Sequence, residues 1–329
     1  MRFYIALLII GSAFLFSCGG GNKSSKSHSA KKKNIIKVPV FNGDSAYYFV
    51  EKQVSFGPRA VGSKAHKECG DWLIKKLEEY SDTVIVQPFK ARTYDKVTRS
   101  AKNIISSFNP KNPNRILLMS HWDSRPFADH DTDTSMHNTP IDGANDGASG
   151  VGILLEMARL MKEQKPEIGI DIVLLDLEDW GPPKDLQMSD EEAWGLGAQY
   201  WSKNPHALGY TARYGILLDM VGTKNPVFPR EYFSQEFASF ALDIVWDNAS
   251  DLGYGDVFVN RQGGATTDDH YFVNTIANIP TIDIIHLDRN SINGSFFDYW
   301  HTTGDNMQNI DKSTLEMVGK VLMRTVYHE

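Results

Sequence analysis

The chain has 329 residues, of which 41% are hydrophobic and 11% aromatic, enough apolar material for one large α/β core or two small ones. The formal net charge of −7 and the pI near 5.8 give no general electrostatic reason to bind nucleic acid, and no RNP, zinc-finger or Walker pattern occurs. The sequence therefore predicts no nucleic acid partner.

The first 17 residues are typical of an export signal rather than of a folded domain. Arg2 precedes the apolar stretch IALLIIGSAFLF, which is too short to span a bilayer comfortably, and LFSC, ending at Cys18, resembles a bacterial lipobox. We therefore expect a lipoprotein-type signal peptide over residues 1–17, with Cys18 lipidated, and an exported, periplasmic protein anchored to a bacterial membrane. The alternative is an ordinary cleaved signal peptide with an incidental cysteine.

Residues 18–34 are mostly glycine, serine and lysine, which cannot form a core, so we predict a flexible tether. Residues 35–329 are predicted to form a single domain. If Cys18 carries lipid, Cys69 has no partner cysteine, and no disulfide is expected.

Helical and strand patterns alternate along this domain. Helices are predicted from Asp44 or Ser45 to about Val54, over Lys64–Tyr80 and Gly150–Glu163, near Ala193–Ser202 and Ser234–Ala249, and over Asp311–Tyr327. Strands are predicted over Thr83–Phe89, Lys102–Phe108, Arg115–His121, Ile172–Leu177, Tyr214–Gly222 and Ile279–His286. The alternation predicts a three-layer α/β/α sandwich with a central mixed, mostly parallel twisted sheet and an antiparallel edge.

Potential ligands and bases follow three of the predicted central strands. His121 and Asp123 follow one, Glu178 and Asp179 another, and Asp219 the third. In such sheets ligands gather outside the carboxyl ends of the strands. The adjacent carboxylates of Glu178 and Asp179 cannot both be buried without a compensating cation or hydrogen bonds. One of them could bind a metal ion while the other stays free as a base.

Other segments add candidates to this set. Asp146 lies in the glycine-rich turn GANDGASG, Asp268, Asp269 and His270 in TTDDH, and His301 in YWHTTGDN. Carboxylate and imidazole ligands without cysteine suit Zn²⁺ with an open coordination position, and Mn²⁺ or Co²⁺ are alternatives.

The motifs HWDS, GANDGASG, LEDWG, LLDMVG, TTDDH and YWHTTGDN, in this order, resemble the zinc aminopeptidase superfamily. More narrowly they resemble its glutaminyl cyclase branch, the animal-like glutaminyl-peptide cyclotransferases. This resemblance implies that residues 35–329 form a single zinc-dependent catalytic domain, which binds one zinc ion per chain. It also implies that the substrates are peptides or proteins with an N-terminal glutamine, which is cyclised to pyroglutamate with release of ammonia.

The resemblance further implies a role for individual residues. The metal ligands would be Asp146, Asp179 and His301. The catalytic acids would be Glu178, Asp219 and Asp268. Trp300 would line the wall of the substrate pocket. We add two aromatic residues to that wall, Phe297 and Trp194.

The sequence departs from the animal enzymes at two positions. Asp179 stands where they usually have a glutamate, and Asp283 stands where they have a histidine. Two rival hypotheses stay open. His121, Asp146 and Asp219 could bind a second metal, as a di-zinc aminopeptidase hydrolysing N-terminal residues requires, or the chain could be a tethered binding protein that has lost its chemistry.

Overall fold

The computed structural model describes residues 37–189 and 193–329. The predicted signal peptide, the lipidation site at Cys18 and the tether lie outside these described residues. From residue 37 onward the described part of the chain belongs to one compact unit.

A six-stranded mixed sheet runs through the middle of this unit. Its strands are β1 (Thr83–Arg92), β2 (Thr98–Phe108), β3 (Arg115–His121), β4 (Gly169–Leu175), β5 (Gly215–Asp219) and β8 (Thr281–Ile285). They lie in the order β1, β2, β4, β3, β5, β8. The pairs β1–β2 and β2–β4 are antiparallel, whereas β4, β3, β5 and β8 are parallel neighbours. The predicted mostly parallel sheet with an antiparallel edge is confirmed. A short parallel pair, β6 (Phe228–Arg230) and β7 (Phe258–Gln262), was not predicted.

Continuous apolar runs place β3 and β4 in the centre, because every residue of both strands is buried. Alternate side chains enter different cores: Leu118 and Ile172 pack on one face of the sheet, Leu117 and Val173 on the other. Helices therefore cover both faces, as an α/β/α sandwich requires.

The larger core takes side chains from α1 (Gly43–Val54), α2 (Lys64–Tyr80), α3 (Ala148–Glu163), α5 (Tyr232–Asp251) and α7 (Lys312–His328). The smaller core takes side chains from α4 (Leu196–Lys203) and α6 (Asp269–Phe272).

The first helix is capped by a residue other than the two predicted. Asn42 Oδ1 accepts a hydrogen bond from the Ser45 amide at 3.1 Å, so Asn42, rather than Asp44 or Ser45, satisfies the first turn. Within the described ranges, no helix combines the length and the apolar character that crossing a bilayer demands.

Strand β4 ends at Leu175, two residues earlier than predicted, because the next two residues leave the sheet. Asp176 accepts hydrogen bonds from the Lys102 and Leu177 amides at 2.7 and 2.9 Å, and its Oδ1 lies 2.9 Å from His66 Nε2. Leu177 then takes a left-handed backbone, with φ +62°. This turn directs Glu178 and Asp179 to the carboxyl edge of the sheet, where β3 and β5 also end.

Candidate metal centre and active site

Three buried side chains from distant parts of the chain meet at this edge. Asp146 lies in the turn before α3, Asp179 follows β4, and His301 lies in the loop after β8. His301 Nε2 is 3.2 Å from Asp179 Oδ1 and 3.7 Å from Asp146 Oδ2. The structure thus brings together all three predicted metal ligands.

These groups fit a metal ion for a physical reason. Oδ2 of Asp146 and Oδ2 of Asp179 are buried and have no hydrogen-bond partner within the protein, which is costly for a carboxylate. Two carboxylates and one imidazole, with ligand atoms within 4.8 Å of one another, match the donor set of a catalytic zinc site with an open position.

A carboxylate from the far end of the chain fixes the turn that carries Asp146. Asp305 accepts hydrogen bonds from the backbone amides of Asn145 and Asp146 at 2.7 and 3.1 Å. Burial and the charge of Asp146 raise the pKa of Asp305 to about 8. Asp305 lies in the quoted motif YWHTTGDN, but sequence reasoning assigned it no role.

Asp123 performs the same task for the second ligand. Its two carboxylate oxygens accept hydrogen bonds from the backbone amides of Glu178 and Asp179 at 3.2 and 3.3 Å. The backbone of the acidic pair is therefore tied to the end of β3, and this explains the His-x-Asp spacing of HWDS.

The three predicted catalytic acids line one cavity of about 240 Å³, together with the three ligands. Burial and the neighbouring Asp268 charge raise the pKa of Glu178 well above its usual range. Burial and the Asp146 charge raise the pKa of Asp219 to about 7, and burial also raises that of Asp268. Such crowding favours protons shared among these acids over three full negative charges.

Aromatic rings form the remaining wall of the cavity. Trp300 stacks on its neighbour His301, with ring centroids 3.8 Å apart, and Trp194 lies nearly parallel to His301 at 6.1 Å. Both tryptophans line the cavity as predicted.

The prediction for Phe297 is wrong, because the lining residue is its neighbour Phe296. Phe297 is 2% exposed and packs inward with Met220, Ile285 and Leu287. Successive residues of this irregular loop point in different directions, so only one of the two phenylalanines reaches the cavity.

A second ligand group adjoins the first and shares Asp146. His121 Nε2 lies 3.0 Å from Asp146 Oδ1 and 3.3 Å from Asp219 Oδ1. Burial disfavours a charged ring, but hydrogen bonds to Asp123, Asp146 and Asp219 outweigh it and raise the pKa of His121 well above its usual value. The three residues named for a second metal are therefore also close together.

A buried polar cluster lies behind Asp268. Glu231 accepts hydrogen bonds from the amides of Phe233, Ser234 and Thr266, and its Oε2 is 3.0 Å from His270 Nε2. The other ring nitrogen of His270 lies 3.7 Å from Asp283 Oδ2. Burial and the charge of Asp268 raise the pKa of Asp283 well above its usual range. Sequence reasoning missed Glu231 entirely and left the role of Asp283 open.

Arg125 and Asp129 are further residues that the sequence reasoning missed. They form a two-pronged ion pair next to His301 and Asp179. The available signal was the spacing of four residues between them in RPFAD, directly after HWDS, which alone predicts no more than a surface ion pair.

Comparisons with known proteins identify relatives of this chain. Residues 103–326 match the profile of peptidase family M28. The chain is 50% identical to the structure of Bacteroides thetaiotaomicron glutaminyl cyclase bound to N-acetylhistamine, with a TM-score of 0.86, over 89% of this chain and 100% of that one. A Zn-dependent exopeptidase from Parabacteroides distasonis gives 50% identity and a TM-score of 0.87, with coverage of 89% and 100%.

A more distant relative is the glutaminyl-peptide cyclotransferase of Gloydius blomhoffii, which is 26% identical over 320 residues, covering 87% of this chain and 76% of that protein. The predicted fold and zinc dependence are confirmed by these matches. The chain therefore belongs to peptidase family M28 and, within that zinc-dependent family, to the glutaminyl cyclase branch.

Proposed function

We propose that this protein is a glutaminyl-peptide cyclotransferase, which converts the N-terminal glutamine of peptides and proteins to pyroglutamate and releases ammonia. The observation that carries the proposal is the arrangement of one cavity. Glu178, Asp219 and Asp268 line it beside the ligands Asp146, Asp179 and His301, and tryptophans close it. The chain is also 50% identical to a glutaminyl cyclase in a match that covers 89% of this chain and all of that solved chain.

The reaction joins the α-amine nitrogen of glutamine to the carbonyl carbon of its own side-chain amide, Cδ, and breaks the bond between that carbon and the amide nitrogen. Both reacting groups belong to one residue, so the protein needs only to hold the conformer in which they meet. A cavity of about 240 Å³ walled by Trp194 and Trp300 has room for a single glutamine side chain in that conformer.

Glu178 is the proton carrier in this scheme. It accepts a proton from the attacking amine and donates it to the departing amide nitrogen, which leaves as ammonia, so the carboxylate is regenerated. General acid–base catalysis of this kind contributes typically ~10²–10⁴ in rate. Asp268 stabilises the protonated form of Glu178 because its negative charge lies nearby. Asp219 lines the same cavity, and its own pKa is raised to about 7.

Asp146, Asp179 and His301 would hold the zinc ion, since their buried oxygens and ring nitrogen face one another. When bound, zinc supplies Lewis-acid polarisation of a carbonyl oxygen and stabilises the negative charge that develops there.

Product analysis by mass spectrometry on the dipeptide Gln-Ala tests this function. We expect pyroglutamyl-alanine and ammonia, with the peptide bond intact. Free glutamine and alanine would contradict the proposal.

The second candidate is a di-zinc aminopeptidase, which is favoured by one observation, the proximity of His121, Asp146 and Asp219. It predicts two zinc ions per chain and cleavage of Gln-Ala. The cyclase predicts one zinc ion and no cleavage, so zinc counting together with the same assay separates the two.

We also propose that the protein is exported, periplasmic and lipid-anchored through Cys18. The support is the sequence alone, namely the apolar stretch, the LFSC segment and the glycine- and lysine-rich residues that follow. Expression of the full chain in a bacterium fed a labelled fatty acid tests it. The wild-type protein should be labelled and pelleted with membranes, and Cys18→Ala should be unlabelled. Equal labelling of both proteins would contradict the proposal.

A further inference from the structure

A buried ion pair lies directly behind the metal ligands. Arg125 and Asp129 are 1% and 4% exposed. Arg125 Nε donates to Asp129 Oδ1 at 2.7 Å, and Nη2 donates to Oδ2 at 2.9 Å, so the guanidinium grips both oxygens. The Lys184 amide donates to Oδ2 at 2.8 Å. Asp129 Oδ1 therefore accepts one hydrogen bond and can accept another, whereas Oδ2 already accepts two.

The pair faces two of the three ligands. Asp129 Oδ1 lies 3.7 Å from His301 Nδ1, which is buried and has no hydrogen-bond partner. Arg125 Nη1 lies 3.4 Å from the backbone oxygen of Asp179 and 3.5 Å from its Oδ1. One ion pair thus contacts a ligand that follows β4 and a ligand from the loop after β8.

We propose that Asp129 and Arg125 are positioning residues for the metal site. Asp129 Oδ1 is the acceptor that His301 Nδ1 faces at 3.7 Å, and a hydrogen bond donated by Nδ1–H to it when the metal binds would leave Nε2 as the nitrogen that faces Asp146 and Asp179. Arg125 holds Asp129 in place, balances its charge and restrains Asp179. The inference rests on the three ligands named under the proposed function.

Arg125 also prevents a wrong ligand set. Ligand atoms of Asp129, His130 and His301 lie within 4.8 Å of one another, so a free Asp129 carboxylate could compete for the metal. The guanidinium occupies both of its oxygens and makes that competition unfavourable.

Arg125 also contacts a tryptophan that lines the substrate cavity. The guanidinium carbon of Arg125 lies 5.1 Å from the centre of the Trp194 ring, which in turn stacks near His301. We therefore expect loss of Arg125 to raise KM as well as to weaken metal binding.

The chain offers a matched control at the opposite end of β3 and β4. Arg115 forms the same kind of bidentate ion pair with Asp171, with Nε–Oδ2 at 2.6 Å and Nη2–Oδ1 at 2.9 Å, and both side chains are buried. This pair contacts none of the three proposed ligands through the bonds it forms, namely those to Ser107, Tyr210 and the loop before β3.

The experiment compares Asp129→Asn with Asp171→Asn in the otherwise unchanged protein. Zinc affinity is measured by competition with a chromophoric chelator, and the visible spectrum of the cobalt-substituted protein reports ligand geometry. Both substitutions should lower the melting temperature. Only Asp129→Asn should weaken zinc binding, by roughly 10- to 100-fold, and alter the cobalt spectrum.

Arg125→Lys and Arg115→Lys provide a second pair, because lysine keeps the charge but cannot grip both oxygens. Arg125→Lys should again weaken zinc binding, and Arg115→Lys should leave it within about twofold of the wild type. The inference is overturned if the Asp129 and Arg125 variants bind zinc as tightly as their controls.

These measurements need no substrate, so they are independent of the proposed activity. Altered zinc affinity in a protein that does not cyclise Gln-Ala would support the positioning role and refute the cyclase. Unaltered affinity in an active cyclase would do the reverse.

Discussion

Three residues at the active site have backbone conformations that side chains rarely adopt. Leu177, directly before Glu178, has φ +62°, Met220, directly after Asp219, has φ +51°, and His301 itself has φ +55°. Such conformations cost about 1–3 kcal/mol each and persist only where the surroundings enforce them. The site is therefore held rigidly by its neighbours before substrate arrives.

Glu178→Gln tests the role of the proton carrier. Glutamine has nearly the same size, so zinc content should stay at the wild-type level, but it cannot accept the amine proton. We expect kcat on a glutamine-leading peptide to fall by roughly 10²–10⁴. Steady-state kinetics and metal analysis on the same preparation check this, and a variant with full activity would remove Glu178 from its role.

The sequence identifies most residues of the site but not the direction in which loop side chains point. Glu178, Asp179 and Asp219 follow apolar strands, and the strand end alone places them. Phe296 lines the cavity in place of the predicted Phe297, because nothing in the sequence of an irregular loop indicates which ring points into the cavity. Arg125 and Asp129 were missed since their burial depends on packing against segments far away in sequence.

At the element scale, the turn before α3 depends on a glycine. Gly147 has φ +89°, and a Cβ there would lie 2.8 Å from the His121 ring and 2.9 Å from the backbone oxygen of Asp123. An added Cβ would therefore force either Gly147 or one of these neighbours to move. Because Asp146 directly precedes Gly147, that movement would disturb the metal site.

Gly147→Ala should therefore weaken zinc binding and lower the melting temperature. Gly209→Ala is the matched control, because Gly209 also has a positive φ, +66°, but nothing lies within 4 Å of an added Cβ. The control should cost about 1–2 kcal/mol of backbone strain and leave zinc affinity unchanged. Chelator competition and thermal unfolding measure both effects, and equal zinc affinity of the two variants would contradict this reading of the turn.

The start of α5 predicts a pH dependence of stability. Burial opposes ionisation of Glu231, its N-cap, but His270 and the amide donors outweigh it and lower the pKa of Glu231 from 4.5 to about 2. A lowered folded-state pKa gives stability that is present above pH 4.5 and lost as the pH falls towards 2. The shift corresponds to roughly 3 kcal/mol.

Urea unfolding of wild type and Glu231→Gln between pH 7 and pH 3.5 tests this dependence. The variant should be less stable at pH 7, and the difference should narrow as the pH falls. A difference that stays constant over this range would show that Glu231 acts through packing alone.

Elements with a regular hydrophobic pattern were predicted well, and short elements without such a pattern were not. Helix α2 was predicted over Lys64–Tyr80 and strand β3 over Arg115–His121, as observed. β6 has three residues, and β7 is mostly exposed, so neither has a hydrophobic pattern that could identify it. Strand ends were predicted too late where a left-handed residue, Leu177 or Met220, follows within two residues of the last residue of the strand.

At the scale of the whole molecule, the α/β/α class followed from alternation of strands and helices. The strand order did not, because it depends on which faces of the helices meet. The meeting of Asp146, Asp179 and His301, which lie far apart in sequence, came from resemblance to a family rather than from pattern.

The most direct test of the account is an anomalous difference map at the zinc edge, measured on crystals of the zinc-loaded protein. We predict one peak, enclosed by Asp146, Asp179 and His301, with Glu178 beside it and not bound to it. A second peak between Asp146, His121 and Asp219, or a peak away from all three proposed ligands, would contradict the account.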